Sequence, residues 1–357
     1  MLLIALVLWL VGWKDRVRDE AGVEHTGRIV REGGGEVVLR TETGERTLRV
    51  KDSGDLHRGM GGAIGNLARR PGPALLAILI QGMGLLLLQV RWGLFLRGAD
   101  LPTSWPRVVR LGAMGLFFNQ VLPAGALGGD VVKAYYAARE HPDRKHQAVV
   151  SVLADRGIGL FVICLVAAVA VLVAPSAEGI ETARKVSLAL LALTSLFLAL
   201  LFTPPLRRAL GLPALFARLP FARSWGKLGD AFATYGRRPG TVLAATLVSL
   251  LCHACMLGTF YWCGLALGLR IPAFALFVAI PVAQMVSAVP GLPAGWGVSD
   301  LAFFVLLPTA GVPAASAVAL SFAFKIINLL LALPGGLLLA HQPGSHDPAA
   351  MARELAP

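Results

Sequence analysis

Charge is what this 357-residue sequence has little of. Only 15% of its residues are Asp, Glu, Lys or Arg, and 56% are hydrophobic, with a mean hydropathy of +0.68. An ordinary soluble domain carries roughly 25% charged residues, so the shortage excludes a disordered chain, a coiled coil and a typical cytosolic enzyme. Cysteine is scarce too. Cys164, Cys252, Cys255 and Cys263 all lie in apolar runs, so no disulfide framework is implied. Cys252-His253-x-Cys255 has no CxxC partner and shares no single helix face, so no metal site is expected. Catalytic signatures such as GxSxG, HExxH or a P-loop are missing, and the polar stretches are too small for a catalytic domain. Neither enzymatic activity nor a cofactor is therefore expected. Acids are outnumbered, 21 against 33 Lys and Arg, for a net charge of +12. In so apolar a chain the basic residues first serve to orient it in a bilayer, and nucleic acid is not an expected partner.

The apolar runs point to an all-α polytopic membrane protein of about six spans. Met1–Trp13 has no basic segment before it and no small-residue cleavage site after it, so it reads as a first transmembrane helix rather than a cleaved signal. Its reach of about 20 Å is short for the hydrocarbon core. Residues 14–70 differ in kind, with 12 Lys/Arg and 10 Asp/Glu. Strand-like pieces at Asp15–Arg18, Val23–Arg31, Glu36–Thr41 and Glu45–Val50, separated by turn-forming Gly, predict a small N-terminal β module. The Gly59–Gly62 stretch leads back to the membrane as a hinge. Residues 71–341 form the transmembrane domain, with spans expected at Pro73–Leu96, Gln147–Ala174, Val186–Phe202, Thr241–Leu267 and Pro313–Ala340. Residues 204–240, rich in Arg and aromatics, read as an interfacial elbow, and 342–357 as a short tail.

Two stretches, Val108–Arg139 and Ala273–Pro308, are too apolar for loops and too broken for single helices. Each carries the same breaker. The first reads Leu122-Pro123-Ala124-Gly125-Ala126-Leu127-Gly128-Gly129-Asp130, and the second Leu292-Pro293-Ala294-Gly295-Trp296-Gly297-Val298-Ser299-Asp300. Broken backbone at membrane depth survives where protein or a wet cavity satisfies it. If both segments are re-entrant hairpins broken at Pro123, Gly125, Gly128, Gly129, Pro293, Gly295 and Gly297, three spans separate them. They then enter from opposite faces as an inverted repeat. If they cross fully, they enter from the same side.

The short loops decide the orientation. Arg97, Arg107, Arg110, Arg139, Arg144, Lys145, Arg207, Arg208, Arg218, Arg223, Lys227, Arg237 and Arg238 stand on one side, against Arg184, Lys185 and Arg270 on the other. The first set marks the cytoplasmic face of a bacterial-type inner membrane, which puts the β module outside, in a periplasmic or extracellular position.

Ionisable residues at membrane depth are costly and default to functional candidates. Here they are Asp130, Lys133, Asp155, Arg156, Asp300 and Lys325, with Asn119 as a neutral head-group contact or an interhelical hydrogen bond. Arg91 reads as a snorkelling side chain, and Asp155-Arg156 as either an interfacial or a buried pair. Asp130 and Asp300 follow glycines, which suits first-turn acids, while Gly128-Gly129 and Gly297 would leave N–H groups free for an anion. Lys325, mid-helix, is expected to pair with Asp300 and also to hold phosphate.

Phe117-Phe118-Asn119-Gln120-Val121-Leu122-Pro123 with Gly128-Gly129-Asp130-Val131-Val132-Lys133-Ala134-Tyr135 resembles the signature of the lysylphosphatidylglycerol synthase transmembrane, or flippase-like, family. Ser151–Leu160 resembles its following helix, and Pro293–Asp300 its second re-entrant segment. The likeness covers about residues 72–340. It implies a domain that moves lipid between leaflets, in the best-known members aminoacylated phosphatidylglycerol. Lys133 stands where the family often has Arg, and Asp300 where it often has Glu. The β module lies outside the usual pattern. No soluble synthase segment follows the last span, so lysyl transfer is not expected. The reading is a lipid translocase for a phospholipid or other anionic or polyprenyl-type lipid. A secondary transporter of a small anionic solute and a non-transporting scaffold are the alternatives. Expected partners are membrane lipids, with a separate lipid-modifying enzyme or an extramembrane partner of the β module; the sequence sets no oligomeric state.

Overall fold

The computed structural model describes residues 14–33, 36–41, 43–50, 56–57, 66, 69–121, 126–173, 180–211, 222–287 and 296–341. The expected first span, the Gly59–Gly62 hinge, the breaker residues Pro123, Gly125, Pro293 and Gly295, and the tail 342–357 lie outside them. The chain divides into two compact units. One holds residues 1–80, 257–287 and 296–327, the other 81–256, 288–295 and 328–357, so three long helices contribute a portion to each.

The β module belongs to the first unit. Strands β1 (Asp15–Arg18), β2 (Glu24–Gly33), β3 (Glu36–Thr41), β4 (Gly44–Arg49) and β5 (Leu56–His57) form an antiparallel sheet in the order β4-β3-β2-β1-β5. The four strands expected from the sequence are present within a residue or two; two-residue β5 was not foreseen. Alternation puts Val17, Val37 and Leu39 on one face, where they are buried against Ile29, Leu48 and Val50. Gly44 turns the β3–β4 hairpin at φ +124°, a conformation that a side chain would strain.

Eleven helices follow among the described residues: α1 (Pro71–Gly98), α2 (Trp105–Val121), α3 (Ala126–Glu140), α4 (Lys145–Val173), α5 (Ile180–Phe202), α6 (Pro204–Ala209), α7 (Ala222–Gly236), α8 (Pro239–Leu267), α9 (Ile280–Ser287), α10 (Val298–Leu306) and α11 (Ala314–Ala340). A π-helical turn, Ala275–Ala279, leads into α9. Among the described residues five helices are long and apolar enough to cross a membrane: α1, α4, α5, α8 and α11. They coincide with the five spans expected after the β module. Their outer faces bare large apolar side chains at helical spacing, such as Leu75, Leu79, Met83 and Leu86 on α1, and Leu243, Leu247, Leu250 and Leu251 on α8. Water would make such stripes an aggregation hazard, whereas hydrocarbon is their natural solvent.

In the second unit α2 and α3 form an antiparallel hairpin. Arg107 pairs with Glu140 at its open end, while Asn119 reaches Gly129 near the turn. Glycine sets the fit, since a Cβ on Gly129 would overlap the carbonyl oxygen of Gly115. Gly335 and Gly336 of α11 likewise admit the backbone of Ala113 and the ring of Phe117. The hairpin's open end meets the ends of α1, α4 and α8. Arg238 donates to Asp100 at 2.8 Å and to the carbonyls of Arg97 and Gly98, and Arg144 donates to the Asp100 carbonyl. Tyr235 of α7 donates to the Phe95 carbonyl at 2.9 Å and packs edge-on against Phe95. Among the described residues the elbow holds two helices, α6 and α7, with α7 packed on α4 and α5. Among the described residues, Arg97, Arg107, Arg144 and Arg238, which sequence alone assigned to one side, gather at this end.

In the first unit, the aromatic stack of Phe260 against Phe303 (5.4 Å) and Phe324 (4.3 Å) ties α8, α10 and α11 together. Asn66 and Arg70, between the β module and α1, donate to the carbonyls of Leu267 and Leu265, the last turn of α8. A guanidinium there satisfies helix-end carbonyls and complements the dipole.

Candidate functional site

Four polar residues of the second unit fall at a similar depth. Counting from its arginine-rich end, Arg91 lies seven residues in along α1, and Asp130, Asp155 and Ser249 lie ten residues in along α3, α4 and α8. At 1.5 Å per residue this is roughly 10–15 Å, about half of a ~30 Å hydrocarbon core.

Arg91 was expected to snorkel. Instead it is 4% exposed, its Nε donating to Asp155 Oδ1 at 2.7 Å and its Nη1 to Ser249 Oγ at 2.8 Å. Gly159 makes the room, since a Cβ there would stand 2.8 Å from Arg91 Nη1. The reason is partner geometry: a carboxylate and a hydroxyl from two other helices satisfy the guanidinium inside, which an interface position would not need. Adjacent in sequence, Asp155 and Arg156 do not pair with each other. Arg156 turns to Asp130, forming a pair whose side chains keep 31% and 20% exposure.

Asn119 Oδ1 accepts the Gly129 N–H at 2.8 Å. The expectation that this N–H faces an anion is therefore corrected, because the hairpin uses it to close on itself. The interhelical reading of Asn119 is the one observed. Lys133, 5% exposed, lies along Gly115 with its ammonium 5.2 Å from the ring centroid of buried Trp92.

The first unit contains the second acid. Asp300 is the third residue of α10 and completely buried. Its Oδ2 accepts the Gly297 N–H at 2.8 Å, and its Oδ1 accepts Ser321 Oγ and Lys325 Nζ, each at 2.6 Å. Gly297 adopts φ +82° as the N-cap, a position that selects glycine. Its N–H is thus committed, like that of Gly129. The expected Lys325–Asp300 pair is present, and the ammonium is further boxed by Trp296 at 4.9 Å and Phe322 at 5.9 Å.

Sequence reasoning passed over the amides. Gln81 donates to Asn328 at 2.9 Å, both buried, and Gln89 is 4% exposed with its Oε1 lacking a hydrogen-bond partner. The available signal was their isolation in apolar helices, eight residues apart on α1 and one turn beyond Lys325 on α11. His253 Nδ1 bonds the Ser249 carbonyl of its own helix at 2.7 Å, so the ring is spent locally.

Comparison with known proteins places these features. The UPF0104 membrane protein PH1989 of Pyrococcus horikoshii is 23% identical over 291 residues, covering 74% of this chain and 85% of its own. No solved structure matches. A family profile described as the lysylphosphatidylglycerol synthase TM region matches residues 61–336, which include both broken segments and every membrane-depth charge discussed above. That region is not itself a catalytic synthase domain. With most of its length so matched, the chain belongs to the lysylphosphatidylglycerol synthase TM-region family of membrane proteins, a family of lipid metabolism or transport.

Proposed function

We propose that this protein is a lipid translocase rather than an enzyme, and that the α2–α3 hairpin carries the head group's path. The observation behind this reading is the Asp130–Arg156 pair. It sits about 15 Å in from the arginine-rich end, on a hairpin whose glycines close it tightly, yet it stays partly open. Ionic groups at such depth are costly unless a polar path passes them. The head group would travel past Asp130, Arg156 and Lys133 while the acyl chains remain in lipid. Arg91–Asp155 would hold the helices around it, and Asp300–Lys325 would fasten α10 to α11 within its own unit.

Topology follows from the same features. Helices α2 and α3 have 17 and 15 residues, about 25 and 22 Å, and return to the end they left, as a re-entrant hairpin would. Three span-length helices separate them from α9 and α10, which are shorter still and pack together. An odd number supports entry of the second segment from the opposite face, and hence an inverted repeat. The arginine-rich end is assigned to the cytoplasm of a cell membrane. Helix α8 starts at that end, and Asn66 and Arg70 bind its far terminus, which supports a β module on the outer side.

The test is reconstitution into vesicles with acyl-labelled phospholipid in both leaflets, followed by a membrane-impermeant quencher. Wild-type vesicles should lose label beyond the outer-leaflet half; loss no faster than in protein-free vesicles, with the protein folded, would contradict the assignment.

A further inference from the structure

The polar cluster of the second unit does not balance. Among the described residues at this depth it holds three cations, Arg91, Lys133 and Arg156, and two carboxylates, Asp130 and Asp155. Each carboxylate is taken by an arginine. Lys133 is left over: 95% of its surface is covered, and it makes no hydrogen bond or ion pair with the described residues. The face of Trp92 and the charge of Asp130, already paired with Arg156, are its favourable contacts among the described residues, and a ring face replaces little of an ammonium's lost hydration. Asp130, one turn earlier on the same helix, gives its hydrogen bond to Arg156.

A second unmet group lies beside it. Lys133 rests on Gly115 of α2, and Gln89 rests on Gly112, one turn away on the same helix. The Oε1 of Gln89 is buried with no donor. An ammonium with no hydrogen bond to the described residues and a buried acceptor without a donor therefore lean on successive turns of one glycine face. Buried polar groups left this way in a native protein call for a missing partner.

We infer that the α1–α2–α3 junction selects a head group carrying one negative charge, a phosphodiester oxygen on Lys133, with a hydroxyl able to donate to Gln89. This rests on the translocase reading and narrows it. One excess positive charge is neutralised by a monoanionic phosphodiester, left as it is by a zwitterionic head group and compounded by a cationic, aminoacylated one. Lys133 is thus the residue that sets charge preference.

The test uses the whole protein in phosphatidylcholine vesicles with three acyl-labelled tracers: phosphatidylglycerol, phosphatidylcholine and cationic ethylphosphatidylcholine. Wild type should move phosphatidylglycerol faster than phosphatidylcholine by on the order of tenfold, the size of one charge-assisted contact, and the cationic tracer slowest. Lys133→Met should erase the preference and Lys133→Arg should keep it. Equal rates for all tracers, or an unchanged preference in Lys133→Met, would overturn the inference while leaving translocation standing. If no tracer moves, translocation falls, and thermal shift in detergent decides the rest. Phosphatidylglycerol raising the melting temperature of wild type but not of Lys133→Met supports the site; equal shifts from phosphatidylcholine overturn it. An equal shift from inorganic phosphate would assign the site to a soluble anion and overturn its lipid half. Should Lys133→Met not fold, the lipid that co-purifies with wild type decides: enrichment of anionic phospholipid over the host membrane supports the site, and a bulk-like profile overturns it.

Discussion

The two segments that share Leu-Pro-Ala-Gly and an Asp eight residues after the Leu use that acid in opposite ways. Asp300 caps its own helix, accepts from Ser321 and Lys325, and has no exposed surface. Asp130 binds Arg156 on a different helix and stays partly exposed, and Lys133 one turn on makes no hydrogen bond or ion pair with the described residues. One copy is saturated and the other is not. The same motif therefore supplies a fixed joint in one place and an available charge in the other, and membrane depth alone does not tell them apart.

The largest effects should come from opening the saturated copy. Lys325→Met leaves a buried carboxylate with a lost charge partner, and Asp300→Asn leaves a buried ammonium; breaking such a pair costs about 3–5 kcal/mol. Thermal unfolding in detergent should show each single variant strongly destabilised and the double variant largely restored. Arg91→Met should resemble those single variants, because Asp155 is equally enclosed. By contrast Lys133→Met removes a charge that makes no ion pair with the described residues, so it should leave stability unchanged or raise it in zwitterionic detergent. A large loss there would mean Lys133 is structural, and the contrast between the copies would weaken.

Smaller effects should follow the glycines. Gly129→Ala forces a methyl against the Gly115 carbonyl and should cost about 1–3 kcal/mol as overpacking. Gly297→Ala meets φ +82° and should cost about 1–2 kcal/mol in backbone strain. Similar melting temperatures for both variants and wild type would show that neither segment is tightly built.

The smallest effect lies in the β module, which belongs to neither copy. Asp19 accepts the N–H groups of Ala21 and Val23 and bonds His25 at 2.9 Å; the His25 bond foremost holds its carboxyl below the usual carboxylate range. A lowered folded-state pKa contributes stability above the unfolded value of about 3.9 and loses it as pH falls through the folded value. The protection factor of the Val23 amide should therefore fall below about pH 4, and Asp19→Asn should flatten that acid dependence.

Much of the architecture was legible because the bilayer imposes simple rules. Runs of apolar residues of span length gave five helices, alternation and Gly turns gave four strands, and the Lys325–Asp300 pair followed from the cost of a lone ammonium. What hid was partner choice across helices. Arg91 looked peripheral because its distance from the helix end is readable, whereas Asp155 and Ser249 come to it only through packing. Asp155 and Arg156 looked like one pair because they are neighbours in sequence, yet adjacent helical residues point about 100° apart and meet different helices. The glycine N–H groups looked available because a sequence does not show which side-chain oxygen folds back onto them.

The most direct test compares the two copies in one translocation assay, each stripped of its ion pair while keeping shape: Asp130→Asn with Arg156→Gln, and Asp300→Asn with Lys325→Met. Both double variants should be folded by thermal melt. The account predicts that the first loses lipid movement and the second retains it. Retained movement in the first with loss in the second would contradict it.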